Sequence, residues 1–195
     1  MHTEFFVSTA ACVGALCSVQ QTAIELSLAA KNAKAIAYRA GTRAVGFKPL
    51  TDYIAEMGRD TSRLVAQIDA TALAIARRAV DEVRLVDANE RLRRARAAMP
   101  PEETAVAALL VAVEEELAAN RQDITRGLRR LYQLLGDINQ RMRAAAVIST
   151  RARVEATQAG EYERGLQLVA DTVERSATTI RTIITRCEGE LRSAA

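Results

Sequence analysis

The side chains best suited to chemistry in this 195-residue chain are three cysteines and one histidine. Cys12, Cys17 and Cys187 do not have the spacing of a metal motif, and an odd number of cysteines does not fit a framework of paired disulfides. His2 is the only histidine, so a centre built on imidazole groups lacks its residues. The sequence also has no glycine-rich phosphate loop and no nucleophile placed beside a base. These patterns predict a protein that is not an enzyme and that uses no cofactor.

The composition is typical of long helices packed through small side chains. Hydrophobic residues make up 49% of the chain, but only 4% of the residues are aromatic, and there are three prolines. Alanine dominates the apolar residues, and so few prolines leave room for very long helices. The 27 basic and 24 acidic residues are mixed in sign along the chain. This mixture indicates solvated helix faces and predicts no binding to nucleic acid.

Apolar and small residues recur at alternating steps of three and four, which is the heptad spacing of packed helices. In the first helix this buried stripe, or seam, is predicted at Leu16, Val19, Ala23, Leu26, Ala30, Ala33 and Ala37. In the last helix it is predicted at Leu166, Val169, Val173, Ala177, Ile180, Ile184, Cys187 and Leu191. Two further helices have similar seams, one from Leu50 to Ile75 and one from Ile124 to Ala156. The sequence therefore predicts an all-α fold, an elongated antiparallel four-helix bundle or coiled coil.

Glycines mark the two predicted turns, at Gly41 and Gly46 and again at Gly160 and Gly165. Glycine at each edge of a tight reversal is expected because it reaches positive φ without a Cβ clash. A helix ends before each pair, and the next is expected to begin at about Pro49 after the first turn and at Gly165 after the second. A different break lies at residues 99–103, where two prolines end one helix and start the next. We therefore expect one bundle over residues 1–195: hairpin one at 3–98, a connection at 99–103 and hairpin two at 101–195.

The second turn and its flanking helices carry a recognisable pattern. Its residues are Ala152, Val154, Glu155, Ala156, Ala159, Gly160, Glu161, Arg164, Gly165, Val169, Ala170, Asp171 and Val173. They resemble, without a gap, the hairpin tip in the signalling domain of methyl-accepting chemotaxis proteins. The first turn is similar to the same pattern through Asn32, Ala33, Ala37, Arg39, Ala40, Gly41, Gly46, Phe47 and Asp52. The chain thus resembles two receptor hairpins in tandem, with both tips at one end of the bundle. Beyond the chain termini the bundle is expected to thin to two helices.

The resemblance implies a function in signalling through protein–protein contacts. It implies that the chemotaxis kinase, its coupling protein or other receptor tips bind at the turns. The residues expected to contact these partners are Arg39, Phe47, Glu155, Glu161 and Arg164, beside the turn glycines Gly41, Gly46, Gly160 and Gly165. The protein would then modulate a chemosensory kinase assembly, as a monomer or a dimer. The alternative is a structural bundle of receptor ancestry that binds a different partner helix or a small ligand.

The N-terminal apolar stretch, residues 5–19, is predicted to be the first turns of a bundle helix. It is short and rich in small residues, and no Lys or Arg precedes it, so we expect neither a membrane span nor a signal sequence. The predicted location is therefore cytoplasmic. Cys17 and Cys187 lie at similar distances from the two turns, and both are expected to be buried thiols at one level of the bundle.

Overall fold

The computed structural model describes residues 2–100 and 104–194. These residues form four long helices and no strand. The helices are α1 (His2–Ala40), α2 (Phe47–Ala98), α3 (Thr104–Ala156) and α4 (Glu163–Ala194). Short 3₁₀ segments follow α1 at Gly41–Ala44 and precede α4 at Gly160–Tyr162. The predicted all-α fold is confirmed.

The helix boundaries agree with the sequence at the first turn and differ at the second. α1 ends at Ala40 as predicted, but α4 begins at Glu163, before the predicted start at Gly165. The 3₁₀ segment and an acidic residue at the new N-terminus carry the chain into α4 without a second glycine, since Glu163 complements the helix dipole there. The predicted connection at residues 99–103 lies partly outside the described residues, because Pro101, Glu102 and Glu103 are not among them.

The chain divides into two compact units. The first, called here the four-helix unit, comprises Thr3–Asp69 and Gln133–Ala195 and so contains parts of all four helices. The second, called the two-helix unit, is Ala70–Tyr132 and contains the end of α2 and the start of α3.

The core of the four-helix unit consists of the predicted seams. Every predicted seam residue of α1 is buried, and so is every one of α4. In α2, Ile54, Met57, Thr61, Leu64 and Ile68 are buried, and Leu50 is half-buried. In α3, the buried seam residues are Leu135, Ile138, Met142, Ala145, Ser149, Ala152 and Ala156. Alanine at many of these positions lets the helices approach closely, which explains how a chain with few aromatic residues closes its core.

The two-helix unit is held by a close contact and by buried polar pairs. A Cβ added at Gly127 of α3 would lie 2.7 Å from Cγ1 of Ile75 on α2, so the two backbones approach closely at that level. Glu82 is only 5% exposed and accepts a hydrogen bond of 2.7 Å from Nε of Arg121. Asn120, which is 3% exposed, donates through Nδ2 to the carbonyl of Arg78 at 2.7 Å. These pairs connect α2 and α3 in an antiparallel register.

Candidate functional site

Two glycines shape the turns, and two others have a different function. Gly41 and Gly160 each have a φ of +60°, which is the left-handed conformation expected of a glycine at the end of a helix. Gly46 and Gly165 have no positive φ, so the expectation for the second glycine of each turn is wrong. The physical reason is that the 3₁₀ segments complete each reversal with right-handed geometry.

Gly46 and Gly165 instead let the two hairpins approach each other. A Cβ added at Gly46 would overlap the carboxylate of Glu155, so this carboxylate occupies the space beside the Gly46 backbone. A Cβ added at Gly165 would lie 3.4 Å from Cδ1 of Ile36, which is an ordinary van der Waals contact. Each contact joins a residue of hairpin one to a residue of hairpin two. Gly46 therefore leaves the space that the flexible Glu155 carboxylate occupies, whereas a Cβ at Gly165 would meet no severe clash.

The two turns lie side by side at one end of the four-helix unit. Nη1 of Arg43 in the first turn is 3.9 Å from Oε1 of Glu161 in the second. The same guanidinium lies close to the backbone of Gly160. The prediction that both tips share one end is confirmed by these contacts. We call the surface formed by the two turns and the adjoining helix ends the paired-turn surface.

The predicted contact residues are distributed unevenly over this surface. Arg39 and Arg164 are exposed, and neither forms an ion pair with any residue that the structure describes. Glu161 is exposed and paired with Arg43, whereas Glu155 is half-buried against Gly46. The geometry thus separates two groups: Glu155 and Glu161 contact the first hairpin, and the two arginines point their charge at solvent.

Phe47 requires a correction. Its side chain is 0% exposed, and it is among the largest fully buried side chains of the chain. The ring therefore belongs to the core beneath the turns, and the expected contact with a partner is wrong. α2 begins at Phe47, so the ring lies in the first helical turn, where it packs inward and fixes the entry of the helix.

Sequence reasoning missed an aromatic residue on the same surface. Tyr38 is exposed, and Nζ of Lys48 lies 4.9 Å from the centroid of its ring, which is a cation–π contact. The signal was present, because Tyr38 lies one residue beyond the seam position Ala37 and so must face away from the core. Val45, at the end of the first turn, is also exposed.

The cysteines differ from the prediction in one respect. Cys17 is exposed, whereas Cys12 is buried and faces Cys187, whose Sγ donates to the carbonyl of Cys12 at 3.8 Å. The reason is helical phase: Cys12 continues the seam four residues before Leu16, and Cys17 follows Leu16 directly. The hydrogen bond with Cys187 and burial raise the pKa of the Cys12 thiol far above its ordinary value. None of the three cysteines forms a disulfide in the described structure.

Comparisons of the chain with models of protein families, with curated proteins and with solved structures found no match. Within the described part of the chain, no helix is long and apolar enough to cross a membrane. The same residues contain no group of three or more His, Cys, Asp or Glu side chains placed to hold a metal ion.

Proposed function

We propose that the paired-turn surface docks another protein, and that the chain is a chemoreceptor-like signalling protein that modulates a chemosensory kinase assembly. The observation that carries the proposal is the arrangement of charge at the turns. Glu155 and the Arg43–Glu161 pair join residues of the two hairpins, while Arg39 and Arg164 are exposed and form no ion pair with any described residue. The identity of the partner, a chemotaxis kinase or coupling protein, rests on the resemblance of both turns to receptor tips. The proposal places the protein in the cytoplasm, where such assemblies form.

The physical argument for docking is preorganisation. A surface held by contacts between two hairpins loses little conformational freedom when a partner binds, so more of the interaction energy appears as affinity. Arginine is suited to such a surface because its planar guanidinium donates two parallel hydrogen bonds to a carboxylate. Arg39 and Arg164 belong to different hairpins, so a partner that contacts both must recognise the paired arrangement.

The test is a binding measurement with a purified complex of chemotaxis kinase and coupling protein from the same organism. Replacing Arg39 or Arg164 with alanine should weaken binding to this complex by roughly 3- to 30-fold, in the range of moderate interface contacts. Arg181→Ala is the matched control, because Arg181 is an exposed arginine of α4 further along the helix from the turn. Its affinity should equal that of the wild type.

An unchanged affinity in both variants, or no binding of the wild type, would contradict the proposal. The turns would then only reverse the chain, and the alternative of a bundle that binds a different partner helix would replace it. One observation favours that alternative directly: α1 has a second apolar stripe on its exposed side.

A further inference from the structure

The exposed side of α1 has apolar side chains at heptad spacing that remain largely open to solvent, although the ring of Tyr38 also contacts Lys48 of α2. Ile24, Leu28 and Tyr38 are all large and exposed, and Ala35 is exposed between them. Counting from residue 24, positions 28, 31, 35 and 38 follow at steps of four, three, four and three. This stripe is separate from the buried seam of α1, which has its own heptad spacing. Such spacing is the pattern by which one helix packs against another.

Beside the stripe is a groove between α1 and α4. It has a volume of about 420 Å³ and is lined by the apolar residues Leu28, Ile36, Leu168 and Val169 and by the polar residues Glu25 and Asn32. Leu28 is 52% exposed and Leu168 is 63% exposed, so one leucine of each helix stands at the groove with most of its surface in water. Gly165 adds no side chain to the floor, where an added Cβ would make an ordinary contact with Ile36. A groove with two exposed leucines is suited to apolar side chains inserted from a helix.

The charge in the stripe distinguishes between possible occupants. Lys31 lies in the middle of the stripe, is exposed and has no ion-pair partner among the described residues. Its neighbour Lys34 is already paired with Asp52 at 2.6 Å. If a second copy packed its own stripe here parallel and in register, Lys31 would lie against Lys31 of that copy. Like charges at such a position disfavour the pairing, as in coiled coils that select partners by charge.

We infer that this stripe and groove bind an amphipathic helix of a partner protein. The helix inserts apolar side chains beside Leu28 and Leu168 and places an acidic side chain opposite Lys31. The inference does not depend on the proposed function of the paired-turn surface, because it uses neither Arg39 nor Arg164. Failure of kinase binding would leave it standing, and its own failure would leave the docking at the turns untouched.

The probe is a synthetic, fluorescently labelled peptide of about three heptads, with leucine at the packing positions and one glutamate at the central one. A matched peptide has lysine in place of that glutamate. Fluorescence anisotropy at low ionic strength should show the glutamate peptide binding the wild-type chain roughly 3- to 10-fold more tightly than the lysine peptide, as expected for an exposed charge pair. In the Lys31→Glu variant this preference should reverse. Reversal separates recognition of charge from a general loss of structure.

Two further variants test the apolar contacts. Leu28→Asp and Leu168→Asp should each weaken binding of both peptides by about 10-fold or more, because an interface centre does not tolerate an unpaired carboxylate. Leu73→Asp is the control, since Leu73 is equally exposed but lies in the two-helix unit. It should bind both peptides as the wild type does, and circular dichroism should show equal helix content in all variants.

Three outcomes would overturn the inference. One is the absence of binding by either peptide, and another is a preference for the glutamate peptide that survives Lys31→Glu. The third comes from sedimentation: a wild-type dimer that Leu28→Asp converts to a monomer would assign the stripe to a second copy of this chain.

Discussion

The side chain of Phe47 is buried in the structure, although the sequence pattern predicts an exposed contact residue. As a residue of the turn pattern it was expected to contact a partner, but its ring is fully buried beneath the turns. Phe47→Ala should therefore lower the free energy of unfolding by about 3–5 kcal/mol, as for other large-to-small changes in cores. Val45→Ala is the control: Val45 is exposed two residues earlier, and its change should be within about 0.5 kcal/mol. Urea unfolding followed by circular dichroism measures the free energy of unfolding of both variants. Equal small effects would contradict the burial of Phe47.

Asp69 leads to a prediction about how the stability of the fold depends on pH. Partial burial raises the pKa of the Asp69 carboxyl above its ordinary value, so the folded state holds the proton more tightly than the unfolded state does. Its contribution to stability is therefore most favourable below the unfolded pKa of about 3.9 and falls as pH rises through the folded pKa. Asp69→Asn should raise the unfolding midpoint at neutral pH, and the gain should vanish in acid.

The control for that experiment is Asp52→Asn, which removes the carboxylate that pairs with the charged Lys34. The hydrogen bond from Lys34 to Asp52 raises the pKa of Lys34, so this pair favours the folded state at neutral pH. Asp52→Asn should lower or leave unchanged the unfolding midpoint at neutral pH. If both variants shift the midpoint in the same direction at each pH, burial of Asp69 is not the cause.

Among the helices, the contact of α2 with α3 in the two-helix unit contains an unusual polar group. Asn120 is buried and donates to the carbonyl of Arg78, but its Oδ1 has no hydrogen-bond partner among the residues that the structure describes. Asn120→Leu removes this unpaired acceptor and buries apolar surface, at the loss of one hydrogen bond to a carbonyl. We expect it to stabilise the two-helix unit by about 1 kcal/mol. Gln122→Leu, on the exposed side of α3, should have no such effect in the same urea titration.

The sequence predicted the helices well where one physical rule decides the outcome. A continuous heptad seam must be buried, so the buried residues of α1 and α4 could be named in advance. The same rule, carried four residues before Leu16, would have placed Cys12 rather than Cys17 in the core. The side-by-side turns were also predictable, because the hairpin lengths bring them to one end.

The rest could not be predicted because it depends on contacts between distant residues. Gly46 is explained only by the carboxylate of Glu155, which is more than a hundred residues away in the chain. The burial of Phe47 likewise depends on how the hairpins meet, since an aromatic residue after a turn is equally compatible with an exposed contact. Arg39 and Arg164 could be proposed from the pattern, but only the geometry shows that neither pairs with a carboxylate in the described part of the chain.

For the molecule as a whole, the two units should differ in local stability. In the two-helix unit large apolar side chains are exposed, namely Leu73, Val80, Val83, Leu109 and Val111. Two helices bury one stripe each against the other, and local opening is easiest where few apolar contacts must be broken. Amide hydrogen exchange should therefore show lower protection for residues 83–98 and 104–116 than for residues 134–145 and 170–187. Labelling rates of the cysteine thiols measure the opening of the four-helix unit independently in the same sample.

Cys17 should react at once with a thiol reagent, while Cys12 and Cys187 react only when the four-helix unit opens. Their labelling rates should thus follow the slow amides of α4 and not the fast amides of the two-helix unit. Rapid labelling of all three cysteines would contradict the burial of the Cys12–Cys187 contact. Equal and high protection in both units would mean that the exposed apolar side chains of the two-helix unit are covered in solution. A dilution series would then decide between a second copy and a stable hairpin, because protection by a second copy falls with protein concentration.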